Sequence, residues 1–231
     1  MFLAVLEFCN LVNLNKIPAL ALSAIFLAFA VFGQNTFLNN ILLTGASLFV
    51  ATLLLIDLFR KKSIVQRDNT SKIVLLIGYV IIPFVLLIKY PFFNGFNPHL
   101  IIGAFILIWI NDTFAYIVGK TMGRTKLFER ISPKKTIEGF VGGLLFTILG
   151  SYILSEFYDF QSGLLWMASA FILVVFGTLG DLVESKLKRN AGVKDSGKIM
   201  PGHGGILDRL DSIIFAIPFL FLLYQIINYV S

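Results

Sequence analysis

Apolar segments occupy most of this chain and constrain its fold more than any other feature. They are too continuous for a β-barrel, whose strands alternate apolar and polar residues over roughly 10 positions. Most of them approach the roughly 20 residues that a helix needs to cross a bilayer. Only 14% of the residues are charged, against about a quarter in soluble domains. The sequence therefore predicts an all-α, polytopic integral membrane protein with about seven or eight transmembrane helices. The apolar segments lie at about 1–12, 17–33, 38–59, 71–90, 98–119, 137–155, 163–181 and 211–230.

Basic residues are distributed very unevenly between the loops. All but Lys89 of the 19 lysines and arginines lie in one set of alternate loops or at the adjoining helix ends. Because positively charged loops stay on the cytoplasmic side of a membrane, this set is predicted to be cytoplasmic. The net charge of +6 then follows from topology, and we expect no nucleic-acid partner. The prediction is one membrane domain over 1–231, with N-terminal spans in 1–90 and a second part, 98–231, that holds a cytoplasm-facing polar cleft.

The segment Trp109–Arg124 carries polar residues within a predicted span. Asp112, Tyr116, Gly119 and Gly123 follow each other at intervals that place them on one helix face. An ionisable residue in a transmembrane helix is costly and indicates a functional site, and glycines allow close helix approach. A polar packing patch near the cytoplasmic end of the helix is the alternative.

A second polar segment, Ser132–Gly143, combines a predicted helix start with lysines. Ser132 followed by Pro133 resembles an N-cap and the first helical position. A helix N-terminus beside lysines is a natural phosphate site. The alternative is a set of basic topology residues next to an ordinary helix cap. The residues that this segment adds to the predicted site are Ser132, Lys134, Lys135, Thr136 and Glu138, the last to orient a lysine or a metal-bound water.

The segment Gly180–Ser212 has the highest density of paired charge. One helix face carries Asp181, Glu184, Ser185 and Lys188, and another pair of carboxylates, Asp208 and Asp211, lies at the start of the last span. Between them, a glycine-rich turn (201–205) lets the backbone approach a ligand closely. Salt-bridged helix ends are the alternative, but they would not require that turn.

Magnesium is the metal that these residue types favour. Carboxylate oxygens suit Mg²⁺, which binds substrate phosphates while keeping some of its waters. Zinc is not expected, because it takes His and Cys ligands and the chain has two histidines and one cysteine, Cys9. His203 could contact a phosphate or only stabilise its turn. Glu7, Asp57 and His99 are interpreted as structural or interfacial.

The charged segment resembles the signature of the phosphatidate cytidylyltransferase (CDP-diacylglycerol synthase) family. The pattern is long and the match is complete. The Asn111-Asp112 segment and Ser132–Gly143 also look like those of the family, and the resemblance covers the chain from about residue 70 onward. The signature residues are Ser185-Lys186-Leu187-Lys188-Arg189, Lys194-Asp195, Pro201-Gly202-His203-Gly204-Gly205 and Asp208-Arg209-Leu210-Asp211.

The resemblance implies transfer of CMP from CTP to phosphatidate, with CDP-diacylglycerol and pyrophosphate as products. It makes 98–231 the catalytic part and Asp181 and Asp208 the ligands of Mg²⁺, with a second cation as an option. The implied partners are CTP, the phosphatidate lipid and a second copy of the chain in a homodimer, and the implied location is the bacterial plasma membrane. The residues with implied catalytic roles are Asp181, Asp208, Asp211, Lys188 and Arg189. The residues with implied substrate-binding roles are Asp112, Tyr116, Ser132, Lys134, Lys135, Thr136, Glu138, Glu184, Ser185, Lys194, Asp195, His203, Gly204, Gly205 and Arg209.

Two other functions fit parts of the pattern. One is a different CTP-using lipid enzyme, such as a polyprenol or phytol kinase, and the full signature argues against it. The other is a transporter whose intramembrane Asp112 carries an ion. Incorporation of labelled CMP into lipid separates the three functions, because a kinase transfers only the γ-phosphate and a transporter modifies nothing.

The first apolar segment is short for a membrane span. As a helix, 1–12 would be about 18 Å long at roughly 1.5 Å per residue, whereas the hydrocarbon core is about 30 Å thick. Members of the family usually carry more hydrophobic sequence before the position of Met1. We expect the native product to begin upstream, and the 231-residue form to be less stable or less active than an extended one.

Overall fold

The computed structural model describes residues 1–33, 36–60, 68–93, 95–158, 160–199 and 204–230. Most of them are helical, and one small hairpin interrupts the helices. The helices are α1 (Phe2–Val12), α2 (Lys16–Phe32), α3 (Phe37–Phe59), α4 (Asn69–Leu75), α5 (Ile82–Lys89), α6 (His99–Thr121), α7 (Ile137–Phe157), α8 (Gly163–Asn190) and α9 (Leu207–Val230). The hairpin strands are β1 (Lys126–Phe128) and β2 (Ser132–Thr136).

Six helices in the described part of the chain are long and apolar enough to cross a membrane. They are α3, the continuous helix 69–92, α6, α7, α8 and α9. The prediction of an all-α, polytopic membrane protein is therefore confirmed. The predicted number of seven or eight spans also counted 1–12 and 17–33, which form shorter apolar helices of 11 and 17 residues.

The helix over 69–92 changes its winding in the middle. A π-helical turn, Leu76–Ile81, joins α4 to α5. Pro83 lies in the first turn of α5 and has no N–H to donate to the preceding turn. The wider π-helical turn accommodates this proline, whose missing N–H would interrupt regular α-helical hydrogen bonding. The π-helical turn carries Tyr79, which is 2% exposed.

Glycines bring α6 and α7 into close contact. A Cβ atom on Gly142 would lie 2.7 Å from the side chain of Val118, and one on Gly143 would lie 2.5 Å from Asn111 Oδ1. Without side chains at these positions the two backbones approach closely. This pair forms one wall of the site, and α8 and α9, which pack against each other, form the other wall.

The structure corrects the predicted helix start at Ser132 and Pro133. Residues Ser132–Thr136 form strand β2, which pairs antiparallel with β1, and α7 begins only at Ile137. Thr136 is the N-cap, because its Oγ1 accepts the N–H of Gly139 at 3.1 Å. The serine–proline pair has suitable residue types for a helix start, but pairing with β1 keeps this segment extended. Pro133 is tolerated at the edge of a two-stranded sheet.

One buried ion pair and two hydrogen bonds connect α3 to the rest of the chain. Asp57, at the end of α3, pairs with Lys186 of α8 at 2.9 Å. Arg130, in the hairpin loop, donates to the carbonyls of Leu58 and Arg60 at 3.0 Å each. These contacts place the ends of α3 and α8 and the hairpin at one end of the bundle, and they agree with the structural role predicted for Asp57.

Candidate active site

A cleft of about 630 Å³ opens between α6, the hairpin, α7, α8 and α9. We call it the lysine cleft, because four lysines line it. Much of the remaining lining is apolar side chains or glycine. The glycines let a ligand approach the backbone closely. Its lining residues are Asn111, Asp112, Ala115, Tyr116, Gly119, Lys120, Lys126, Leu127, Lys134, Lys135, Thr136, Gly139, Phe140, Thr178, Asp181 and Ser212.

Positive charge exceeds negative charge in the cleft. Four lysines face only two carboxylates, Asp112 and Asp181. Lys135 Nζ lies 2.5 Å from Asp181 Oδ2, and both side chains are about 30% exposed (28% and 32%). Lys120 Nζ lies 5.6 Å from the centre of the Tyr116 ring. This balance suits an anionic ligand that carries several charges.

The α6 face lines the cleft much as its spacing predicted. Asp112, Tyr116 and Gly119 all border the cavity, whereas Gly123 lies beyond the end of α6. Asn111 Nδ2 donates to Asp112 Oδ1 at 3.4 Å, which orients the carboxylate. Tyr116 is 65% exposed, so its ring is available to a ligand.

The predicted face of α8 splits between the cleft and the protein interior. Asp181 borders the cleft and accepts a hydrogen bond from Ser185 Oγ at 3.1 Å. Glu184 is fully buried. Lys188 Nζ lies 3.4 Å from Glu184 Oε2 and 2.7 Å from Asp208 Oδ1. Lys188 is therefore held between two carboxylates and does not line the cleft.

Asp208 is already saturated with donors from the protein. Oδ1 accepts from Lys188 Nζ at 2.7 Å. Oδ2 accepts from the backbone N–H of Gly205 at 2.7 Å, the N–H of Ser196 at 2.8 Å and Ser196 Oγ at 2.9 Å. These bonds close the loop onto the first turn of α9. A carboxylate with this set of donors has little capacity left for a metal ion.

The donor set fits Mg²⁺ at Asp181 better than at Asp208. Asp181 faces the cavity, whereas Asp208 does not. Asp211, one turn after Asp208 along α9, lies near both Asp181 and Glu184. Within that part of the chain no three acidic, histidine or cysteine side chains form a ready-made metal cage. Mg²⁺ is commonly bound by one or two carboxylates together with substrate phosphates, so the cleft meets its requirements.

Other predicted residues serve the surrounding loops. Glu138 accepts the N–H of Thr125 at 3.0 and 3.1 Å, and Arg189 donates to the carbonyl of Val193 at 3.1 Å. Gly204 has a φ of +84°, which favours glycine. Of the other residues in the predicted site, Ser132 begins β2. Three are exposed: Lys194, Asp195 and Arg209. His203 lies outside the described residues.

Sequence reasoning missed several residues around the site. Lys120 and Lys126 were assigned only to topology, yet both line the cleft. Tyr79 is buried with a hydroxyl that has no hydrogen-bond partner in the described part of the chain. Glu7, from α1, contacts the loop before α9. Helical spacing could have identified Lys120, which lies four residues after Tyr116 on the same face of α6. No local pattern identifies Tyr79 or Glu7, because helix packing brings both to the site.

Comparison with known proteins agrees with this geometry. The model of a family described as "Cytidylyltransferase family" matches residues 1–227. Proteins named phosphatidate cytidylyltransferase are similar to the chain. One from Staphylococcus saprophyticus is 54% identical over 130 residues, which are 55% of this chain and 50% of the relative. One from Staphylococcus haemolyticus is 53% identical over 123 residues, which are 53% of this chain and 47% of the relative.

A relative from Staphylococcus aureus strain COL is 52% identical over 123 residues. The chain spans about half the length of the curated relatives that it matches. The family match itself extends over nearly all of the chain and confirms the resemblance carried by the signature. The chain belongs to the cytidylyltransferase family.

Proposed function

We propose that this chain transfers CMP from CTP to phosphatidate and produces CDP-diacylglycerol and pyrophosphate. The observation that carries the proposal is the lysine cleft, in which four lysines and two carboxylates share about 630 Å³. That volume is within the roughly 300–1,000 Å³ of small-molecule sites. Both proposed substrates carry phosphate, so the excess of positive charge suits them. The name of the relatives, phosphatidate cytidylyltransferase, supports the same reaction.

The proposed chemistry is a displacement at phosphorus. An oxygen of the phosphatidate phosphate forms a bond to the α-phosphorus of CTP. The bond from that phosphorus to the bridging oxygen breaks, and pyrophosphate leaves with the electron pair. Positioning and charge neutralisation lower the barrier of such a step, and no covalent enzyme intermediate is needed.

The lysines of the cleft are proposed to hold the phosphates. Lys134 and Lys135 project from β2, and Lys120 and Lys126 approach from the end of α6 and from β1. Asp181 Oδ2 lies 2.5 Å from the Lys135 ammonium and so fixes the position of that charge in the cleft. Mg²⁺ held at Asp181, with Asp211 beside it, would supply further positive charge to the leaving phosphates.

We also propose a location and an assembly for the protein. The four lysines of the cleft belong to the basic end of α6 and the hairpin that follows it, so we assign the cleft to the cytoplasmic side by the positive-inside rule. The staphylococcal relatives favour a bacterial plasma membrane. A homodimer and a single membrane domain over 1–231 belong to the same proposal.

The test uses the purified chain with phosphatidate, Mg²⁺ and CTP that is labelled either in the cytosine ring or at the γ-phosphate. Cytosine label in the extracted lipid, with one pyrophosphate released per lipid, is the expected result. Lipid that carries only the γ-phosphate label would indicate a kinase. Lipid without either label would contradict both enzymes, and a transport assay in vesicles would then follow.

A further inference from the structure

A buried carboxylate of the first helix contacts the loop that leads into α9. Glu7 is 3% exposed. Its Oε1 accepts the backbone N–H of Ile206 at 3.0 Å, and its Oε2 accepts the N–H of Leu207 at 2.8 Å. Ser196 Oγ lies 3.1 Å from the same Oε2. Donors that are about 190 to 200 residues away in sequence therefore converge on one side chain.

The first turn of α9 needs an acceptor that its own sequence lacks. The first N–H groups of a helix have no partner within the helix, and the side chain of the N-cap residue usually accepts one of them. Ile206, directly before Leu207, carries no acceptor. Glu7 supplies it from α1, and its negative charge is favourable at a helix N-terminus.

The same contacts lead from Glu7 to Asp208 and Lys188. Ser196 Oγ lies 3.1 Å from Glu7 Oε2 and 2.9 Å from Asp208 Oδ2. A hydroxyl has one proton to donate, so the two carboxylates share it. Asp208 in turn holds Lys188 at 2.7 Å. We call these four residues, Glu7, Ser196, Asp208 and Lys188, the Glu7 network.

Two glycines leave room for the Glu7 carboxylate. A Cβ atom on Gly197 would lie 2.5 Å from Glu7 Oε1, and one on Gly205 would lie 2.5 Å from both oxygens. Real Cβ atoms do not approach oxygen so closely, so a side chain at either position would displace Glu7 or the loop. The second glycine of the Gly204-Gly205 pair is thus explained by Glu7 and requires no bound ligand.

We propose that Glu7 is a positioning residue for the CMP transfer described above, and this inference rests on that proposed function. Glu7 holds the loop so that Asp208 and Lys188 keep their places at the junction of α8 and α9. Asp181 and Ser212, which line the cleft, belong to the same two helices. The first helix, which is far from the signature in sequence, is then part of the apparatus required for turnover.

The test replaces Glu7 by glutamine in the full 231-residue chain. Glutamine has the same shape, but either orientation of its amide turns the NH₂ group towards one of two backbone N–H groups and loses that bond. We expect kcat to fall about 10- to 100-fold, the range that small displacements near a reacting centre produce. The KM for CTP should change less than about threefold, because Glu7 does not line the cleft. The melting temperature is measured on the same samples.

Asp57→Asn is the matched control. Asp57 is also 3% exposed and also links the N-terminal helices to α8, through Lys186 at 2.9 Å, a residue that lies outside the loop before α9. Asp57→Asn should lower the melting temperature at least as much as Glu7→Gln, with kcat within about threefold of wild type. A purely structural role for Glu7 would give both variants the same profile, and that result would overturn the proposal.

Ser196→Ala keeps the test decisive if Glu7→Gln does not fold. It removes only the shared hydroxyl and should lower kcat more than it changes the KM for CTP; an unchanged kcat would contradict the network. Where both single variants fold, their effects on kcat should be less than additive in the double variant, because neighbouring groups in one network are coupled.

A wild-type chain that incorporates no CMP would overturn the proposed function and this inference together. An active wild type with an equally active Glu7→Gln variant would overturn the inference alone.

Discussion

The lysine cleft and the Glu7 network both concentrate charge at the same end of the bundle, but the charged groups are partly exposed in the cleft and buried in the network. In the cleft, the Lys135–Asp181 pair remains about 30% exposed, and lysines outnumber carboxylates. In the Glu7 network, Asp208 accepts four bonds from the protein, and Glu7 is 3% exposed. Groups of the first kind can bind a ligand, whereas groups of the second kind hold the architecture. The signature residues Lys188 and Asp208 belong to the second kind, whereas Lys135 and Asp181, which lie outside the signature, belong to the first.

Asp181→Asn gives the sharpest test of the cleft and the largest expected loss. The change keeps the shape of the side chain but removes the charge that orients Lys135 and would bind Mg²⁺. We expect turnover to fall by on the order of 10²–10³, as for loss of one electrostatic group in a preorganised site, with little change in melting temperature. The assay is CMP incorporation at saturating Mg²⁺, and Glu156→Gln, at an exposed position of α7 outside the cleft, is the control. Near wild-type turnover would remove Asp181 from the metal site.

Asp208→Asn should behave differently from Asp181→Asn, because Asp208 belongs to the network. Loss of one partner from a buried ion pair costs about 3–5 kcal/mol, and the Asp208 and Lys188 side chains are only 10% and 11% exposed. We expect a clear fall in melting temperature together with loss of turnover. Thermal unfolding in detergent, followed alongside CMP incorporation, measures both effects. Full stability with no turnover would instead favour Asp208 as a metal ligand.

Alanine at Lys134 or Lys135 should weaken substrate binding more than it weakens the fold. A hydrogen bond to a charged group contributes about 1.5–3 kcal/mol, which corresponds to an increase of roughly 10- to 150-fold in KM. Steady-state kinetics with CTP and phosphatidate varied in turn would show which phosphate each lysine holds. Lys72→Ala, on α4 and outside the cleft, is the control. Unchanged kinetics for both lysine variants would indicate that these lysines only set the membrane topology and do not bind substrate.

Lys120→Gln is expected to have the smallest effect of the four. Lys120 is exposed and rests over the Tyr116 ring at 5.6 Å. A contact between exposed opposite charges contributes about 0.2–1 kcal/mol, so loss of a Lys120 contact to a CTP phosphate should raise the KM for CTP by at most about fivefold. The difference between variant and wild type should shrink in high salt, because exposed charges are screened. A salt-independent effect would indicate that Lys120 contacts the substrate at a desolvated position.

Much of the membrane architecture was predictable because bilayer thickness fixes the length of an apolar helix. The six spanning helices correspond to predicted segments, and the face of α6 that carries Asp112 and Tyr116 follows from helical periodicity alone. The helix start at Ser132 was wrong, because strand pairing with β1 overrode a local capping pattern. Local propensity is a weak guide where a segment has a partner elsewhere in the chain.

By itself, the sequence determined the class of protein, the distribution of its charge and the residue types of a phosphate site, because hydropathy, periodicity and signature spacing are local properties. Only the tertiary structure decided which charges remain available. It saturated Asp208 and left Asp181 in the cleft, although both are aspartates of the same charged segment. It also brought Glu7 to Ile206, although the two residues are 199 positions apart in sequence. Such contacts depend on how helices pack, and packing joins residues whose separation along the chain carries no signal.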